Sequence, residues 1–273
     1  MSAEATRVSP EWLALREPAD AEARSRDLAE SLERALPASG PRVIHDLGCG
    51  SGAMGRWLAP LLAGPQHWVL HDRDTDLLAL AAAGVPGPAA DGAPVTVEAA
   101  CTDIVWMHAP DLAGATLITA SALLDLLTVE ELDRLAGLCV GAGCPILLTL
   151  SVVGRVELAP ADPLDPCVAA AFDAHQRRPT RRGRLLGPDA VDLAVEAFRG
   201  RGAEVLVRPS PWRLGPAHRA LTAEWFTGWV AAACEQEIEL AGRCGPYARR
   251  RLRQAGAGEL AVSVGHADLL VLP

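Results

Sequence analysis

The stretch VIHDLGCGSG at residues 43–52 decides the fold of this chain. It begins as a short apolar run typical of a buried strand, ends that run on Asp46, and continues into a turn with glycine at alternate positions, Gly48, Gly50 and Gly52. Glycine lets the backbone approach a ligand where any Cβ would clash. A helix pattern follows directly, and its first amide groups suit a polar or anionic group. We therefore expect residues 43–52 to bind a nucleoside-bearing small molecule.

The spacing of the glycines separates two kinds of nucleoside site. The dinucleotide fingerprint is G-x-G-x-x-G, whose glycines position a pyrophosphate, whereas this chain has D-x-G-x-G-x-G from Asp46 to Gly52. That form resembles motif I of the class I S-adenosylmethionine-dependent methyltransferases, in which the glycine turn packs against the methionine part of the cofactor. The glycine motif alone also fits a tight structural turn, so the function depends on the rest of the chain.

Short apolar strands alternate with helical patterns along the chain. The predicted strands lie at about 42–47, 67–71, 95–98, 115–119, 145–151, 203–208, 260–264 and 268–272. Such alternation indicates an α/β fold with a mostly parallel sheet that has helices on both faces. The resemblance implies a seven-stranded Rossmann-like methyltransferase sheet whose seventh strand is antiparallel. Ligands in such sheets bind beyond the carboxyl ends of the strands.

The chain divides into two predicted parts. Residues 1–40 are expected to form an N-terminal helical cap, with helices at about 9–18 and 19–36, and residues 41–273 to form an S-adenosylmethionine-binding methyltransferase domain. Within that domain, the segments at 152–187 and 209–258 are expected to lie on the acceptor side or to act as lids. The second of these contains a helical insertion before the last strand.

Acidic residues follow successive predicted strands, and their order and spacing support the resemblance. Asp72 comes 22 residues after Gly50, where a carboxylate can accept both ribose hydroxyls. Asp103 and Ile104 follow the next strand, where an acceptor beside an apolar side chain suits an adenine. Each aspartate alone fits a turn or a helix cap equally well. The resemblance covers residues 40–151 and implies a cofactor site with these residues: Asp46, Gly48, Cys49, Gly50, Asp72, Arg73, Asp103, Ile104 and Ser121.

The acceptor side is less defined by the sequence. His175 is a candidate general base, and the alternative is a solvent-facing histidine on a helix. Candidate acceptor-binding residues are Arg16, Asp125, Arg178, Trp212 and Trp225, although core packing explains the tryptophans equally well. Arg24 is a further candidate beside Arg16 for the carboxylate of the cofactor. The arginine-rich segment at 177–184 fits either an anion site or a solvated loop.

Composition narrows the class of acceptor. The net charge is −9, and all 25 basic residues are arginine; an acidic chain is poorly suited to a phosphate backbone. The Asn/Asp-Pro-Pro-aromatic motif of amide and exocyclic-amine methylation is absent, because Ser121-Ala122-Leu123-Leu124 stands in its place. The seven cysteines have no metal-ligand spacing, so no metal is expected. The sequence contains no apolar run of 18 or more residues and no secretory leader pattern, so a cytoplasmic protein without a membrane span is expected.

These observations predict an enzyme that transfers a methyl group from S-adenosyl-L-methionine to a small-molecule acceptor, leaving S-adenosyl-L-homocysteine. Oxygen is the favoured acceptor atom, with nitrogen or carbon next, and the arginine-only composition is typical of a GC-rich bacterial genome, where secondary metabolism is one setting. The alternatives are a different reaction of the same cofactor on the same fold, an RNA methyltransferase, and a non-catalytic nucleoside-binding module.

Overall fold

A computed structural model describes residues 8–84 and 87–273, which form one mixed sheet with helices packed around it. The first residues of the predicted cap, 1–7, lie outside the described residues. The strands are β1 (Arg42–Leu47), β2 (Gln66–Asp72), β3 (Val95–Cys101), β4 (Leu117–Ser121), β5 (Ile146–Ala159), β6 (Pro179–Thr180), β7 (Gly183–Arg184), β8 (Glu204–Pro209), β9 (Trp212–Leu214) and β10 (Ala261–Leu272). The α-helices are α1 (Pro10–Ala23), α2 (Arg26–Ala35), α3 (Ala53–Leu58), α4 (Thr75–Ala83), α5 (Val129–Gly141), α6 (Asp165–Gln176), α7 (Ala190–Arg199), α8 (Arg219–Gln236) and α9 (Ile238–Ala257).

The main path of the sheet has the strand order β3-β2-β1-β4-β5-β10-β8. Strands β1 to β5 pair in parallel, and β10 is antiparallel to both β5 and β8. The predicted α/β class with an antiparallel last strand is confirmed, and β9, which pairs with β10 beside the main path, adds an eighth strand to the described sheet. The carboxyl ends of β1, β2, β3 and β4 therefore meet along one edge.

The central strands are apolar because helices cover both of their faces. Ile44 of β1 and Leu117 of β4 have no exposed surface, and Leu147 of β5 is equally buried. A strand buried on both faces has a nearly continuous apolar sequence rather than an alternating one. That property made β1 and β4 recognisable from the sequence.

Beyond the sheet edge, β5, β9 and β10 continue as an antiparallel arm, defined here as residues 152–159, 212–214 and 261–266. Val262 of β10 pairs with Leu158 on one side and Leu214 on the other. The prediction that β5 ends at 151 and that 260–264 and 268–272 are separate strands was wrong. Two register shifts in β10 follow Val264 and Ala267, and such bulges let one strand continue past residues that break the apolar pattern.

Helices α6, α8 and α9 pack on this arm and give it a core of its own. Its buried side chains include Phe226, Trp229 and Tyr247, and Val168 of α6 is completely buried beside them. No helix within the two described ranges is both long enough and apolar enough to cross a bilayer.

The N-terminal region forms two helices, but their boundary differs from the expected one. Ser9 caps α1 by accepting a hydrogen bond from the Trp12 amide, as its position before Pro10 predicted. The second helix begins at Arg26 rather than near residue 19, because Ser25 is extended and its side chain caps α2. A serine in this role favours a new helix start.

Asp268 joins three parts of the structure at the point where the arm leaves the sheet. Its Oδ2 accepts a hydrogen bond from the Ser25 amide at 2.7 Å, and its Oδ1 accepts from the Leu150 amide at 2.8 Å and from Ser210 Oγ at 2.5 Å. Burial raises the pKa of Asp268, and these hydrogen bonds oppose that shift. Leu150 has a φ of 56°, an uncommon conformation for a residue with a side chain, and the bond from its amide holds it there.

We expect Asp268→Asn to lower the free energy of unfolding by about 2–3 kcal/mol, because an amide group places N–H donors opposite N–H donors in a buried site. Urea unfolding at pH 7 measures this change. The matched control is Asp27→Asn on α2, whose exposed carboxylate pairs with Arg208 at 2.6 Å and should contribute less than about 1 kcal/mol. Equal effects of the two substitutions would contradict the role assigned to Asp268.

Candidate functional site

A cavity of about 460 Å³ lies along the carboxyl edge of the sheet and extends under the arm. We divide its wall into a glycine-turn half and an aromatic half. Residues that define the glycine-turn half are Gly48, Gly50, Asp72, Arg73, Asp103 and Ile104. Residues that define the aromatic half are Trp12, Arg16, Phe172, Trp212, Trp225 and His266. Ser121 and Asp125, which follow β4, also line the cavity.

At the glycine turn the cavity is lined by backbone atoms, because Gly48 and Gly50 have no side chains. Gly48, Gly50 and Gly52 have φ values of 66°, 54° and 83°, a region that glycine adopts without steric strain. A Cβ on Gly48 would stand 3.3 Å from Leu123 Cδ1, and one on Gly50 would stand 3.4 Å from Leu13 Cδ1. Both leucine side chains belong to residues that line the cavity, so side chains on the turn would fill the space that the glycines leave.

Asp72 links the end of β2 to the glycine turn. Its Oδ2 accepts a hydrogen bond from the Gly50 amide at 2.9 Å, and its Oδ1 accepts one from the Asp74 amide at 2.9 Å. Both bonds come from the backbone, and a carboxylate oxygen has more than one lone pair. The carboxylate is therefore fixed in the cavity wall and retains acceptor capacity on each oxygen.

The ends of β3 and β4 supply polar groups that their neighbours hold in place. Asp103 Oδ1 accepts from the Val105 amide at 3.1 Å, capping the short 3-10 turn that contains Ile104. Ser121 Oγ accepts from Thr149 Oγ1 at 3.0 Å and from Arg24 Nη2 at 3.1 Å. Arg24 is buried behind this part of the wall, and burial lowers the pKa of its guanidinium.

Asp46 and Cys49 lie beneath the glycine turn rather than among the residues that line the cavity. Asp46 is 1% exposed and accepts a hydrogen bond from Thr119 Oγ1 at 2.8 Å. Burial raises its pKa to about 6, against the opposing effects of the Thr119 bond and the Arg24 charge. Cys49 is also buried. These two residues support the turn from behind, and their predicted role at the methionine end stays a prediction.

In the aromatic half, Arg16 is held by one carboxylate and two indole rings. Asp20 accepts from Arg16 Nε at 2.9 Å and from Arg16 Nη2 at 3.2 Å, and it also accepts from Trp212 Nε1 at 2.9 Å. The Arg16 guanidinium carbon lies 5.0 Å from the Trp212 ring centroid and 6.0 Å from that of Trp12. Cation–π attraction of this kind stabilises a guanidinium that lies against the face of an indole ring. Helix α1 is thus joined to β9.

Asp125 follows β4 in the short 3-10 turn Leu124–Leu126 and lines the cavity. Burial raises its pKa to about 6, and the positive charges of Arg16 and Arg178 act in the opposite direction. A carboxylate with a pKa near neutrality is suited to accept a proton at physiological pH. Sequence reasoning named Asp125 only as an acceptor-binding candidate.

His175 and Arg178 lie outside the cavity wall. His175 Nε2 is 3.3 Å from Glu235 Oε2, and its Nδ1 is 3.3 Å from Arg178 Nη1. Arg178 also donates to the His175 carbonyl. Of the arginine-rich segment, Arg182 lines the cavity, and it donates to Glu131 Oε1 at 2.8 Å. The predicted role of His175 as a general base stays a prediction.

His266 is one of the lining residues that sequence reasoning did not single out. His266 is 5% exposed and stacks obliquely on Trp212 with ring centroids 5.3 Å apart. Burial and the charge of Arg16 lower its pKa to about 3, so it is neutral at pH 7. His266 reaches the cavity because β10 continues into the arm. Reading 260–272 as one continuous strand would have placed His266 there.

Within the described ranges, no group of three or more His, Cys, Asp or Glu side chains has the geometry of a metal site.

Comparison with known proteins shows similarity in fold. No protein-family model matches the chain, and no curated protein matches it in sequence. One similar solved structure is a mycolic acid cyclopropane synthase complexed with SAH and CTAB. The match covers 95% of this chain and 94% of the synthase chain, with 14% sequence identity and a TM-score of 0.50. A second is a cyclopropane synthase from Mycobacterium tuberculosis. Here the match covers 97% of this chain and 95% of the synthase chain, with 12% sequence identity and a TM-score of 0.52. The fold is therefore the Rossmann-like methyltransferase fold that the sequence predicted.

We expect Asp125→Asn to stabilise the protein at pH 7. Because the folded state raises the pKa of Asp125 from 3.8 to about 6, the folded protein binds this proton more tightly than the unfolded chain. The wild type therefore loses stability as the pH rises through that interval, and the asparagine variant does not. The variant should be about 1–3 kcal/mol more stable at pH 7, with a smaller difference at pH 4.

Urea unfolding of both proteins at pH 4 and pH 7 measures this effect. The control is Asp192→Asn on α7, whose side chain is exposed and should change stability by less than about 0.5 kcal/mol at either pH. An Asp125→Asn variant less stable than wild type at pH 7 would contradict a desolvated, ionised Asp125.

Proposed function

We propose that this protein is an S-adenosyl-L-methionine-dependent methyltransferase that acts on a small-molecule acceptor. The observation that carries the proposal is the glycine turn itself, with three positive-φ glycines tied by the Gly50 amide to the Asp72 carboxylate at the cavity wall. The neighbouring fold described as complexed with SAH supports the choice of cofactor. S-adenosyl-L-methionine supplies a methyl group on a sulfonium centre, and S-adenosyl-L-homocysteine is left after transfer.

The described residues fit this cofactor part by part. Gly48 and Gly50 leave a cradle that a Cβ would fill, which suits the methionine portion. Asp72 can accept ribose hydroxyls with the lone pairs that its backbone bonds leave unused. Asp103 and Ile104 pair a carboxylate with an apolar side chain at the next strand end, as an adenine requires. Arg73 and Ser121 complete the predicted set on the cavity wall.

The chain's own contribution to methyl transfer is alignment, exclusion of water and proton removal. Holding a nucleophile in line with the transferred group accounts for much of the acceleration in such displacements. The segments 152–187 and 209–258 supply Phe172, Trp212 and Trp225 to the cavity, in keeping with an acceptor-side role. Asp125 is the group we assign to accept the proton of an acceptor hydroxyl, since its pKa is raised to about 6.

A reaction on an apolar chain, such as that of the mycolic acid for which one similar cyclopropane synthase is named, is less compatible with this cavity. Arg16 and Asp125 both line it, and an apolar chain beside them would remove water from two charged groups without offering either one a polar contact. A nucleic-acid acceptor is disfavoured by the net charge of −9.

Calorimetric titration with S-adenosyl-L-methionine and S-adenosyl-L-homocysteine tests the cofactor. We expect micromolar binding of both by wild type, and about 10- to 100-fold weaker binding by Asp72→Asn, because one carboxylate acceptor becomes a donor. Asp192→Asn, exposed on α7, should bind as wild type does. A folded wild-type protein that binds neither ligand would overturn the proposal.

A further inference from the structure

The aromatic half of the cavity presents a positive charge whose partner lies behind the wall. Arg16 lines the cavity, whereas Asp20, its carboxylate partner, is 5% exposed and is held by Trp212 Nε1 as well as by Arg16. A ligand in the aromatic half therefore meets the Arg16 guanidinium and not the Asp20 carboxylate. The ion pair orients Arg16 without removing its charge from the surface that a ligand touches.

Some hydrogen-bond donors of Arg16 are not used by Asp20. A guanidinium has five N–H donors, and Asp20 engages the Nε and Nη2 groups. Among the described residues no acceptor is bonded to Nη1. Because two rings and a carboxylate fix the guanidinium plane, this edge is preorganised for a planar oxyanion such as a carboxylate.

Aromatic side chains line the same half of the cavity as Arg16. Trp12 and Trp212 meet edge to face with centroids 6.4 Å apart, and Trp225 stacks on Trp229 with centroids 5.3 Å apart. Phe172 of α6 lines the same half of the cavity. Aromatic rings bind other rings through stacked and edge-to-face contacts, so the walls suit a planar aromatic body.

We propose that the acceptor is a planar aromatic compound with a carboxylate, which Arg16 binds while the tryptophan and phenylalanine rings enclose the aromatic body. This inference rests on the proposed function for the identity of the ligand as methyl acceptor. Arg16 sets the charge of the acceptor, and the aromatic side chains set its shape. A neutral or cationic ring of the same size lacks the partner that the guanidinium requires.

The test is a calorimetric charge series on one ring system: 2-naphthoate, 2-naphthylmethanol and 2-naphthylmethylamine, each with and without saturating S-adenosyl-L-homocysteine. We expect wild type to bind the naphthoate at least about tenfold more tightly than the alcohol, with the amine weakest. Arg16→Gln should reduce naphthoate affinity to that of the alcohol. The matched control is Arg213→Gln, an exposed arginine next to Trp212 in β9, which should keep the wild-type preference.

Wild type that binds the alcohol or the amine as tightly as the naphthoate, or binds none of the three, overturns the inference. If Arg16→Gln does not fold, the three wild-type affinities still test the inference. A second readout is salt dependence, because we expect naphthoate binding to weaken at high salt. Binding of S-adenosyl-L-homocysteine without naphthoate binding refutes this inference alone. Naphthoate binding without S-adenosyl-L-homocysteine binding refutes the proposed function and leaves an aromatic-carboxylate site.

Discussion

The buried carboxylate of Asp268 is the constraint on which the site depends. It accepts hydrogen bonds from Ser25, Leu150 and Ser210, which belong to the start of α2, to β5 and to the loop between β8 and β9. Without these bonds the Leu150 amide would be buried without a partner, which is unfavourable by roughly the full desolvation penalty of the group. The bonds fix where β5 leaves the parallel sheet and therefore where the arm begins.

From that point two structural units contribute to one cavity. The parallel strands bring the glycine turn and the carboxylates to the sheet edge, as open α/β sheets generally do. The arm and its helices bring the aromatic rings and His266 over the same edge. Arg16, on α1, connects the two units, because it is bonded to Asp20 on its own helix and stacked on Trp212 of the arm. Helix α1 is thereby part of the cavity wall.

Several residues predicted for the site lie on the cavity wall because a local pattern determines their position, and their roles there stay predictions. Gly48, Gly50, Asp72, Asp103 and Ser121 all line the cavity, because each follows a strand whose apolar run is recognisable. Four of the acceptor-side candidates also line the cavity: Arg16, Asp125, Trp212 and Trp225. Nothing in the local sequence fixed the direction of these side chains. His175 faces Glu235 instead of the cavity, and His266 was missed because β10 bends through two register shifts.

The sequence by itself determined the α/β class, the positions of β1 to β4 along the chain and the presence of the glycine turn, because apolar periodicity and glycine spacing are local properties of the chain. Tertiary structure alone decided which of two charged side chains on α1 faces the cavity. Arg16 and Asp20 are both charged residues on α1, and only packing against Trp212 buries the carboxylate and leaves the guanidinium in the wall. The raised pKa of Asp125 has the same origin, since burial is a property of the assembled fold.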